Sequence, residues 1–497
     1  MLVVWKGHML PIFQQFLKTI CLPLVFRDSC SSPGHVSPSP HPGSTSNGLC
    51  MWFQYVLFWP LFHLQLAKTH GNIYTLWFGW TPVIILNGYQ AVKDGMTTHP
   101  EDVSGRMVSP FFRALAKGKG MLTCGHHWKQ QRRFGITTLR SLGMGKKGLE
   151  YRVQEEASHL VEFFLNLKGR PVDPSFRLFH SISNVICAVV FGYHFSDEDK
   201  TFHELISATE YLFKFLGSFV HQLYEIFPWL MCCLPGPHKK ALSCYEVLSS
   251  FARNEIRRHV ERGMPDEPQD FIDFYLVEME KYKDGVKTKH DEENLVYVIN
   301  DLFLGGSETS STTLYWGLLF MVVNPDIQEK VQKELDAVLG PSQLICYKDR
   351  RELPYTNAVV HEIQRFSNIV FVGMPRVCVR NTTLLGFPIK KGTIIMPNIA
   401  SVLYDPEQWE TPRQFNPGHF LDKEGKFVSR EAFLPFSAGH RVCLGEHLAR
   451  TELFIFFASL LRAFTFRLPE GVTKISTEPI LGGTLQPHPY RLCAIPR

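Results

Sequence analysis

The spacing of apolar residues changes along the chain and predicts a short β region followed by a long helical one. Residues 71–79 and 82–88 are rich in β-branched and aromatic side chains, and Gly79-Trp80-Thr81 between them is typical of a hairpin. From Tyr89 onward, apolar residues recur at the three- and four-residue spacing of amphipathic helices. The clearest helical stretches are residues 146–167, 181–190, 200–216, 241–262 and 270–283.

The longest helical pattern runs from about residue 291 to residue 323. At about 1.5 Å per residue it predicts a rod of roughly 50 Å, long enough to cross a domain. Asn324 and Pro325 predict the capped start of another helix, which Gly340 ends. Strand-like runs follow at residues 370–379, 384–388 and 393–397, with a helical pattern at 444–461 and a last β region at 482–493. We therefore predict one large, mainly α domain with a smaller β part, spanning residues 63–497.

The first 62 residues differ from the rest in composition. Residues 9–26 are apolar but contain two glutamines, a lysine and two prolines, so they make a poor membrane span. The Ser- and Pro-rich residues 31–48 are typical of a flexible linker. Residues 50–67 are apolar and carry no formal charge, and two interpretations stay open. Their aromatic side chains either lie in a membrane interface or pack on the globular domain as an N-terminal arm.

Composition excludes several classes of protein. Of the 497 residues, 45% are hydrophobic, which is enough to fill a large core. The net charge of +5 is spread out rather than collected in a Lys/Arg block, which argues against a nucleic-acid-binding protein. The 12 cysteines form no Cys-x-x-Cys pair, so we expect reduced thiols rather than a disulfide framework or a zinc site.

One cysteine has distinctive surroundings. Cys443 lies in the loop Phe436-Ser-Ala-Gly439-His-Arg441-Val-Cys443-Leu-Gly445, directly before a helical pattern. The positive end of a helix dipole favours an ionised, metal-ligating thiolate. The glycines allow a flat ligand to approach closely, and the arginine can contact an acidic group on that ligand. Iron in a thiolate-bound haem meets these conditions, while the alternative is an ordinary buried cysteine.

The middle of the long predicted helix contains the sequence Gly305-Gly306-Ser-Glu308-Thr309-Ser. Two adjacent glycines cost a helix about 1 kcal/mol each, and the hydroxyls beside them compete for backbone carbonyls. One interpretation is a packing notch where another helix crosses. The other is an opening over a cofactor, where Thr309 donates a hydrogen bond to dioxygen and Glu308 passes protons inward.

Two further pairs have helical spacing. Trp128 and Arg132 lie on one helix face, where an indole N–H and a guanidinium could hold a haem carboxylate. An exposed amphipathic helix is the alternative. Glu362 and Arg365 are spaced for an ion pair, which alone is a weak signal.

The spacing Phe-x-x-Gly-x-Arg-x-Cys-x-Gly resembles the haem-binding signature of the cytochromes P-450. The motifs at residues 128–132, 305–309 and 362–365 agree with that family in their order along the chain. Residues 227–230, 234–238, 270–273, 354–359 and 449–457 look like the microsomal family 2, and most like its subfamily J. The resemblance covers residues 63–497 and implies the cytochrome P-450 fold, with the long central helix over a buried haem.

The resemblance also implies roles for individual residues. Cys443 would be the axial ligand of the iron in haem b, and Glu308 and Thr309 would be the acid–alcohol pair of oxygen activation beside Gly305. Glu362 and Arg365 would form a structural lock with His419, which stands where many members have Arg. The positions that supply haem propionate partners in the family are Arg106, Trp128, Arg132, Arg376 and Arg441.

The implied activity is a monooxygenase that receives NADPH electrons through NADPH-cytochrome P-450 reductase, with cytochrome b5 as a second candidate partner. Subfamily J members oxidise polyunsaturated fatty acids such as arachidonate, and xenobiotics. The implied location is the cytoplasmic face of the endoplasmic reticulum membrane, although the usual N-terminal anchor and Pro-rich hinge are missing. Candidate pocket walls are residues 107–115, 213–219, 299–303, 369–372 and 481–485, and basic residues that would face the reductase are Lys129, Arg133, Arg140, Lys146, Lys147 and Arg450.

Two other functions stay open at this point. A haem-thiolate isomerase or dehydratase would share the cysteine loop, although such enzymes often lack the acid–alcohol pair. A haem- or lipid-binding protein with impaired reductase coupling would share the fold.

Overall fold

The predicted helical body and smaller β part are both present in the computed structural model. It describes residues 66–78, 81–121, 123–143, 147–263, 265–281, 291–340 and 343–497. The predicted segment 1–62 and the hairpin tip at 79–80 lie outside the described residues. The helices are α1 (Tyr89–Thr97), α2 (Pro110–Ala116), α3 (Gly125–Ser141), α4 (Lys147–Asn166), α5 (Ser175–Val190), α6 (Lys200–Leu216), α7 (Phe219–Ile226), α8 (Pro228–Met231), α9 (Pro237–Arg262), α10 (Phe271–Glu280), α11 (Glu292–Val323), α12 (Pro325–Val338), α13 (Pro354–Ser367), α14 (Ile399–Leu403) and α15 (Glu446–Ala463).

The β part contains one larger sheet and several small ladders. The strands are β1 (Ile73–Phe78), β2 (Thr81–Leu86), β3 (Gly105–Arg106), β4 (Arg376–Val377), β5 (Thr382–Leu384), β6 (Phe387–Ile389), β7 (Ile394–Pro397), β8 (Phe464–Arg467), β9 (Pro479–Ile480), β10 (Gln486–Pro487) and β11 (Cys493–Pro496). The larger sheet has the order β1-β2-β7-β4-β3, in which β1 and β2 form the predicted antiparallel hairpin and β2 pairs with β7 in parallel. This sheet therefore joins the N-terminal part of the described chain to the segment after α13.

The long predicted helix is α11, and its 32 residues give it a length of about 48 Å. The side chain of Asp291 accepts a hydrogen bond from the backbone N–H of Asn294 and so caps its start. Its second half is buried on all sides, because α5, α13 and α15 pack around it. This burial fixes the position of Gly305–Thr309 within the molecule.

Several predicted boundaries differ from the structure. The run 370–379 contains only the two-residue strand β4, since Gly373 and Pro375 interrupt it and Gly373 N–H donates to the carbonyl of Pro397. Asn324 does not cap α12 with its side chain. Its amide instead donates to the carbonyl of Phe320 at the end of α11, at 2.8 Å.

Candidate active site

A cavity of about 370 Å³ lies between the middle of α11, the end of α13 and the start of α15. Its wall is mostly apolar, and it brings together residues that are more than 300 positions apart in the sequence. The predicted site residues in its wall are Arg106, Gly305, Thr309, Arg376, Phe436, Arg441, Cys443 and Gly445.

The loop before α15 is shaped by two backbone contacts. Cys443 N–H donates to the carbonyl of Phe436 at 3.0 Å, which closes the loop. Gly439 has a φ of +72°, and a Cβ there would collide with the backbone carbonyl of Met96 in α1. The glycine thus allows the loop to dock on α1. It is Gly445, rather than Gly439, that lies in the cavity wall where a flat ligand would approach.

Cys443 is directed into the cavity. Its accessible surface faces this internal space, so the thiol is shielded from bulk solvent. Burial raises the pKa of the thiol, while backbone N–H groups of Gly445 and Glu446 and the Arg132 guanidinium act to lower it. The start of α15 therefore points donors at the sulfur, as the predicted helix-terminal position requires.

Arg106, Arg376 and Arg441 line this cavity, and a fourth arginine, Arg132, lies near them. Antiparallel pairing of β3 with β4 sets Arg106 directly opposite Arg376, while Arg132 comes from α3 and Arg441 from the cysteine loop. Their hydrogen-bond acceptors are backbone carbonyls and one serine hydroxyl. The bonds are Arg106 to Met374 and Pro375, Arg132 to Val442, Arg376 to Ser437 and Arg441, and Arg441 to Ser104, Met121 and Thr123.

The hydrogen-bond acceptors given above for these arginines include no carboxylate that would neutralise their charge. Burial, together with the smaller effect of neighbouring arginines, lowers the pKa of Arg376 to about 8, of Arg441 to about 9 and of Arg106 to about 10. Nε and Nη1 of Arg376 and Nε of Arg106 are buried without a hydrogen-bond partner. Because unpaired buried donors are costly, the cluster is suited to a ligand that carries carboxylates.

Trp128 supports this cluster from α3. Its indole is buried, and the guanidinium carbon of Arg441 lies 3.6 Å from the ring centroid. A cation over an indole face is attracted by the ring quadrupole, which helps hold Arg441 in place. Trp128 and Arg132 thus lie on the inward face of α3, as predicted, while Arg133 and Arg140 of the same helix are exposed.

The two glycines of α11 have different surroundings. A Cβ on Gly306 would lie 2.5 Å from Cδ1 of Ile186 on α5, so this glycine is the packing notch. A Cβ on Gly305 would meet nothing within 4 Å, since this position faces the cavity. Thr309 also lines the cavity, and its hydroxyl donates to the carbonyl of Gly305 at 2.7 Å. The packing-notch interpretation therefore holds for Gly306, while Gly305 opens onto the cavity.

Glu308 lies outside the cavity wall. Its buried Oε1 accepts hydrogen bonds from the Thr484 hydroxyl at 2.8 Å and the Gln486 amide at 2.6 Å. Burial raises the pKa of the carboxyl, and these donors oppose that effect. The acid and the alcohol of the predicted pair thus face different neighbours. The sequence analysis missed the donors Thr484 and Gln486 because no motif contains them.

Glu452 is a second acid that the sequence analysis missed. It lies in the cavity wall on α15, where the Ser310 hydroxyl donates to its Oε2 at 2.7 Å and Oε1 has no hydrogen-bond partner. Burial raises the pKa of this carboxyl to about 8. The available signal was an acidic residue directly before the apolar run 453–458.

The predicted structural lock is assembled as expected. Arg365 donates to both carboxylate oxygens of Glu362 at 2.7 Å, and both side chains are fully buried. The remaining Arg365 N–H groups donate to the backbone carbonyls of Leu403, Pro412 and Gln414. One guanidinium therefore ties α13 to α14 and to the chain segment that leads to the cysteine loop.

His419 completes this lock. Its Nε2 accepts the backbone N–H of Thr411 at 3.1 Å, so Nδ1 carries the proton of the neutral ring. Nδ1 lies 3.2 Å from Oε2 of Glu362 and donates to it. A neutral histidine thus serves at a position where the resemblance implied that Arg is common.

The predicted pocket walls contribute only in part. Asp301 and Leu302 from α11 and Ile369 and Val370 after α13 line this cavity. The cavity wall, as far as the structure describes the chain, takes no residue from 107–115, 213–219 or 481–485.

Comparison with known proteins agrees with this geometry. The family model described as "Cytochrome P450" matches residues 38–494. Cytochrome P450 2J2 from Homo sapiens is 43% identical over 439 residues, covering 88% of this chain and 87% of that protein. Cytochrome P450 2J3 from Rattus norvegicus is 44% identical over 434 residues, with coverages of 87% and 86%. Cytochrome P450 2C8 from Homo sapiens is 41% identical over 434 residues, with coverages of 87% and 89%.

Family membership and geometry agree on the cofactor. The family binds haem b. The thiol directed into the cavity and the surplus of buried arginine donors fit an iron-containing ligand with two carboxylates. The chain belongs to the cytochrome P450 family of haem-thiolate monooxygenases.

Proposed function

We propose that the protein is a reductase-dependent monooxygenase that epoxidises and hydroxylates polyunsaturated fatty acids and oxidises xenobiotics. The observation that carries the proposal is a mostly apolar cavity whose wall contains Cys443, Gly305 and Thr309 together. A thiolate-bound haem supplies the cleavage of dioxygen in such a site. The protein's part is to hold the cofactor, leave room for oxygen and substrate, and deliver protons.

Each of these tasks has residues in suitable positions. Cys443 would ligate the iron, and Arg106, Arg376 and Arg441 would hold the carboxylates together with Trp128 and Arg132. The missing side chain of Gly305 leaves space over α11, because nothing lies within 4 Å of its Cβ position. The Thr309 hydroxyl, now bonded to the Gly305 carbonyl, can turn to donate into the cavity.

The proposed substrate class rests on the cavity wall and on the relatives. Side chains such as Ile186, Val189, Leu302 and Ile369 make most of the wall apolar, which suits a long hydrocarbon chain. Relatives at 43% identity are cytochromes P450 of the 2J type. Arachidonate is therefore the first fatty acid to test, beside a panel of lipophilic drugs.

The proposed electron donors are NADPH-cytochrome P-450 reductase and cytochrome b5. Arg133 and Arg140 are exposed on α3, the helix whose inner face carries Trp128 and Arg132. Exposed cations at this place can steer an acidic partner toward the cysteine side. Lys129 is paired with Glu101 and Arg450 with Glu446, so these two side chains contribute less free charge.

The proposed location is the cytoplasmic face of the endoplasmic reticulum membrane. Among the described residues, no helix combines the length and the apolar character needed to cross a bilayer. The region of α7, α8 and the turn after it nevertheless exposes a group of large apolar side chains. These are Phe219, Phe227, Trp229, Leu230 and Leu234, which we call the α7–α8 patch. Exposed aromatic and aliphatic side chains of this kind suit a membrane interface.

The carbon monoxide difference spectrum of the reduced, haem-loaded protein tests the cofactor assignment. We expect the strongly red-shifted band of thiolate ligation, its loss in Cys443→Ser, and its retention in the exposed control Cys233→Ser. A band that survives in Cys443→Ser would refute the assignment.

Product analysis tests the reaction. With reductase and NADPH, arachidonate should yield epoxides and hydroxy acids. Thr309→Ala should lower product per NADPH severalfold, because the hydroxyl donor is lost, and Thr309→Ser should restore most of it. Unchanged product per NADPH in Thr309→Ala would rule out the proposed role of this hydroxyl.

A further inference from the structure

The C-terminal hairpin brings two polar side chains to the acid of α11. Thr484 lies between β9 and β10, Gln486 begins β10, and both donate to Oε1 of Glu308, at 2.8 Å and 2.6 Å. The Thr312 hydroxyl, one turn farther along α11, is 3.4 Å from the same oxygen. The acid is thus held by donors from a segment that is 176 and 178 residues away in the sequence.

The hairpin that carries these donors is itself held by three hydrogen bonds. Gly483 N–H donates to the carbonyl of Phe213 in α6 at 2.8 Å, and Leu485 N–H donates to that of Ile369 at 2.9 Å. The indole of Trp316 in α11 donates to the carbonyl of Leu485 at 2.8 Å. Because neighbours on three sides fix the backbone, the two donors meet Glu308 in a preorganised position.

The charge of Glu308 depends on this arrangement. Burial favours the neutral carboxyl and raises its pKa, and the nearby carboxylate of Glu210 on α6 acts in the same direction. The donors Thr484 and Gln486 favour the ionised form. Hydrogen bonds to an ionised acceptor are about twice as strong as those to a neutral one, so protonation of Glu308 weakens its hold on the hairpin.

We propose that Thr484 and Gln486 are positioning residues that hold ionised Glu308 out of the cavity and release it once it is protonated. The released acid can then turn toward Thr309 and transfer its proton to the Thr309 hydroxyl oxygen, while that hydroxyl gives its own proton to dioxygen that has been reduced with electrons from NADPH. Glu308 is left ionised and returns to its two donors. This inference rests on the proposed monooxygenase function.

Isosteric variants remove the donors with little change in volume. Gln486→Met removes the amide, Thr484→Val removes the hydroxyl, and Thr484→Ser keeps it. Infrared titration of the full-chain protein follows the carbonyl stretch of protonated Glu308, assigned by its loss in Glu308→Gln. The exposed Thr477 lies before β9, so Thr477→Val is the matched control.

Removal of a donor should move the Glu308 titration midpoint upward by about one pH unit in Gln486→Met and in Thr484→Val. Thr484→Ser and Thr477→Val should titrate like the wild type. Unchanged midpoints in both donor-removing variants would overturn the proposal, whatever reaction the protein catalyses.

Product per NADPH provides the second measurement. If protonated Glu308 is the proton donor, product per NADPH falls as the pH rises above the titration midpoint of Glu308. The midpoint of that fall should move upward in Gln486→Met and in Thr484→Val, together with the infrared midpoint. Thr484→Ser should behave like the wild type, which a general loss of folding would not explain.

The two measurements separate the inference from the proposed function. If the wild type forms oxygenated product but the donor variants keep its ratio and pH profile, the positioning role is wrong and the function stands. If the wild type forms no such product, the proposed function fails, and the positioning role in oxygen chemistry falls with it, even where the infrared midpoints move.

Discussion

At the scale of single residues, the most informative side chains are buried groups that lack a full set of partners. Arg376 and Arg106 have donors without acceptors, and Glu452 has an acceptor oxygen without a donor. Unpaired buried polar atoms are uncommon in folded proteins because each one costs stability. Four such atoms, from Arg106, Arg376 and Glu452, lie in residues that line one cavity, and we take this as a sign of a binding site. A binding site can thus be located from its unpaired buried polar atoms even where the sequence contains no motif.

Glu452 gives a prediction about stability and pH. Its folded pKa of about 8 lies above the ordinary value of 4.5, so the folded protein keeps a proton that the unfolded chain loses first. The stability of the wild type should fall as pH rises between these two values. Glu452→Gln has no titratable group at this position. As the pH rises from about 5 to about 8, its free energy of unfolding should therefore increase by a few kcal/mol relative to that of the wild type.

Urea denaturation at the two pH values measures this difference. Glu424→Gln, at an exposed position, is the control and should follow the wild type at both. Parallel pH profiles for Glu452→Gln and wild type would show that Glu452 is not held protonated by burial.

At the scale of elements, two neighbouring glycines of α11 have different roles. Gly306 admits Ile186 of α5, and Gly305 faces the cavity about 100° farther around the helix. Helix propensity alone would disfavour both positions equally. Tertiary surroundings give one of them a packing role and leave the other to shape the cavity.

These two glycines should respond in opposite ways to substitution by alanine. Gly306→Ala should lower the free energy of unfolding by about 1–2 kcal/mol, because the added methyl group overpacks against Ile186. Gly305→Ala should raise it by up to about 1 kcal/mol, since alanine is the better helix former and meets no neighbour. Thermal and urea unfolding check both, and adding Ile186→Val to Gly306→Ala should recover part of the loss. Equal changes in stability for Gly305→Ala and Gly306→Ala would contradict the separate roles of the two glycines.

The lock around α13 gives a second prediction at this scale. Arg365→Met leaves the carboxylate of Glu362 buried without its cation, which should cost about 3–5 kcal/mol of unfolding free energy. The exposed pair of Lys333 and Glu329 offers a matched comparison, where Lys333→Met should cost less than about 1 kcal/mol. Urea denaturation measures both. Similar losses for the two variants would show that the buried lock contributes no more than a surface pair.

At the scale of the whole molecule, we propose different partners for the charged and the apolar regions of the surface. The exposed cations of α3 adjoin the helix face that supports the arginine cluster. The α7–α8 patch exposes large apolar side chains, with Trp229 64% exposed. A monomer in water gains nothing from exposing such a group, so the patch needs a partner, and we propose the membrane interface.

The membrane proposal predicts weaker lipid binding when the patch is made polar. Trp229→Ser with Leu230→Ser should reduce partition of the full-chain protein onto phospholipid vesicles by about tenfold, because less apolar surface enters the interface. Vesicle flotation measures this partition. Leu344→Ser changes an apolar residue that is 54% exposed elsewhere and should leave it unchanged. Equal partition of the double variant and wild type would exclude the patch as a membrane contact.

Much of the architecture was open to prediction because it is local in the chain. The repeat of apolar residues predicted α6 and the C-terminal ends of α9 and α11, and the hairpin of β1 and β2 followed from its composition. The Glu362–Arg365 ion pair and the Cys443–Phe436 hydrogen bond each join residues only a few positions apart. Short strands such as β4 were harder, since a two-residue pairing is decided by the neighbouring strand rather than by its own side chains.

The sequence by itself determined the family and predicted Cys443 as the iron ligand, because those signals are fixed by spacing along one segment. Only the tertiary structure decided that Gly439 docks on Met96, that Gly305 and Gly306 have separate roles, and that Glu308 faces Thr484 and Gln486. These contacts join segments far apart in the chain. The direction in which a buried side chain points depends on the elements packed around it, and its neighbours in sequence do not encode that direction.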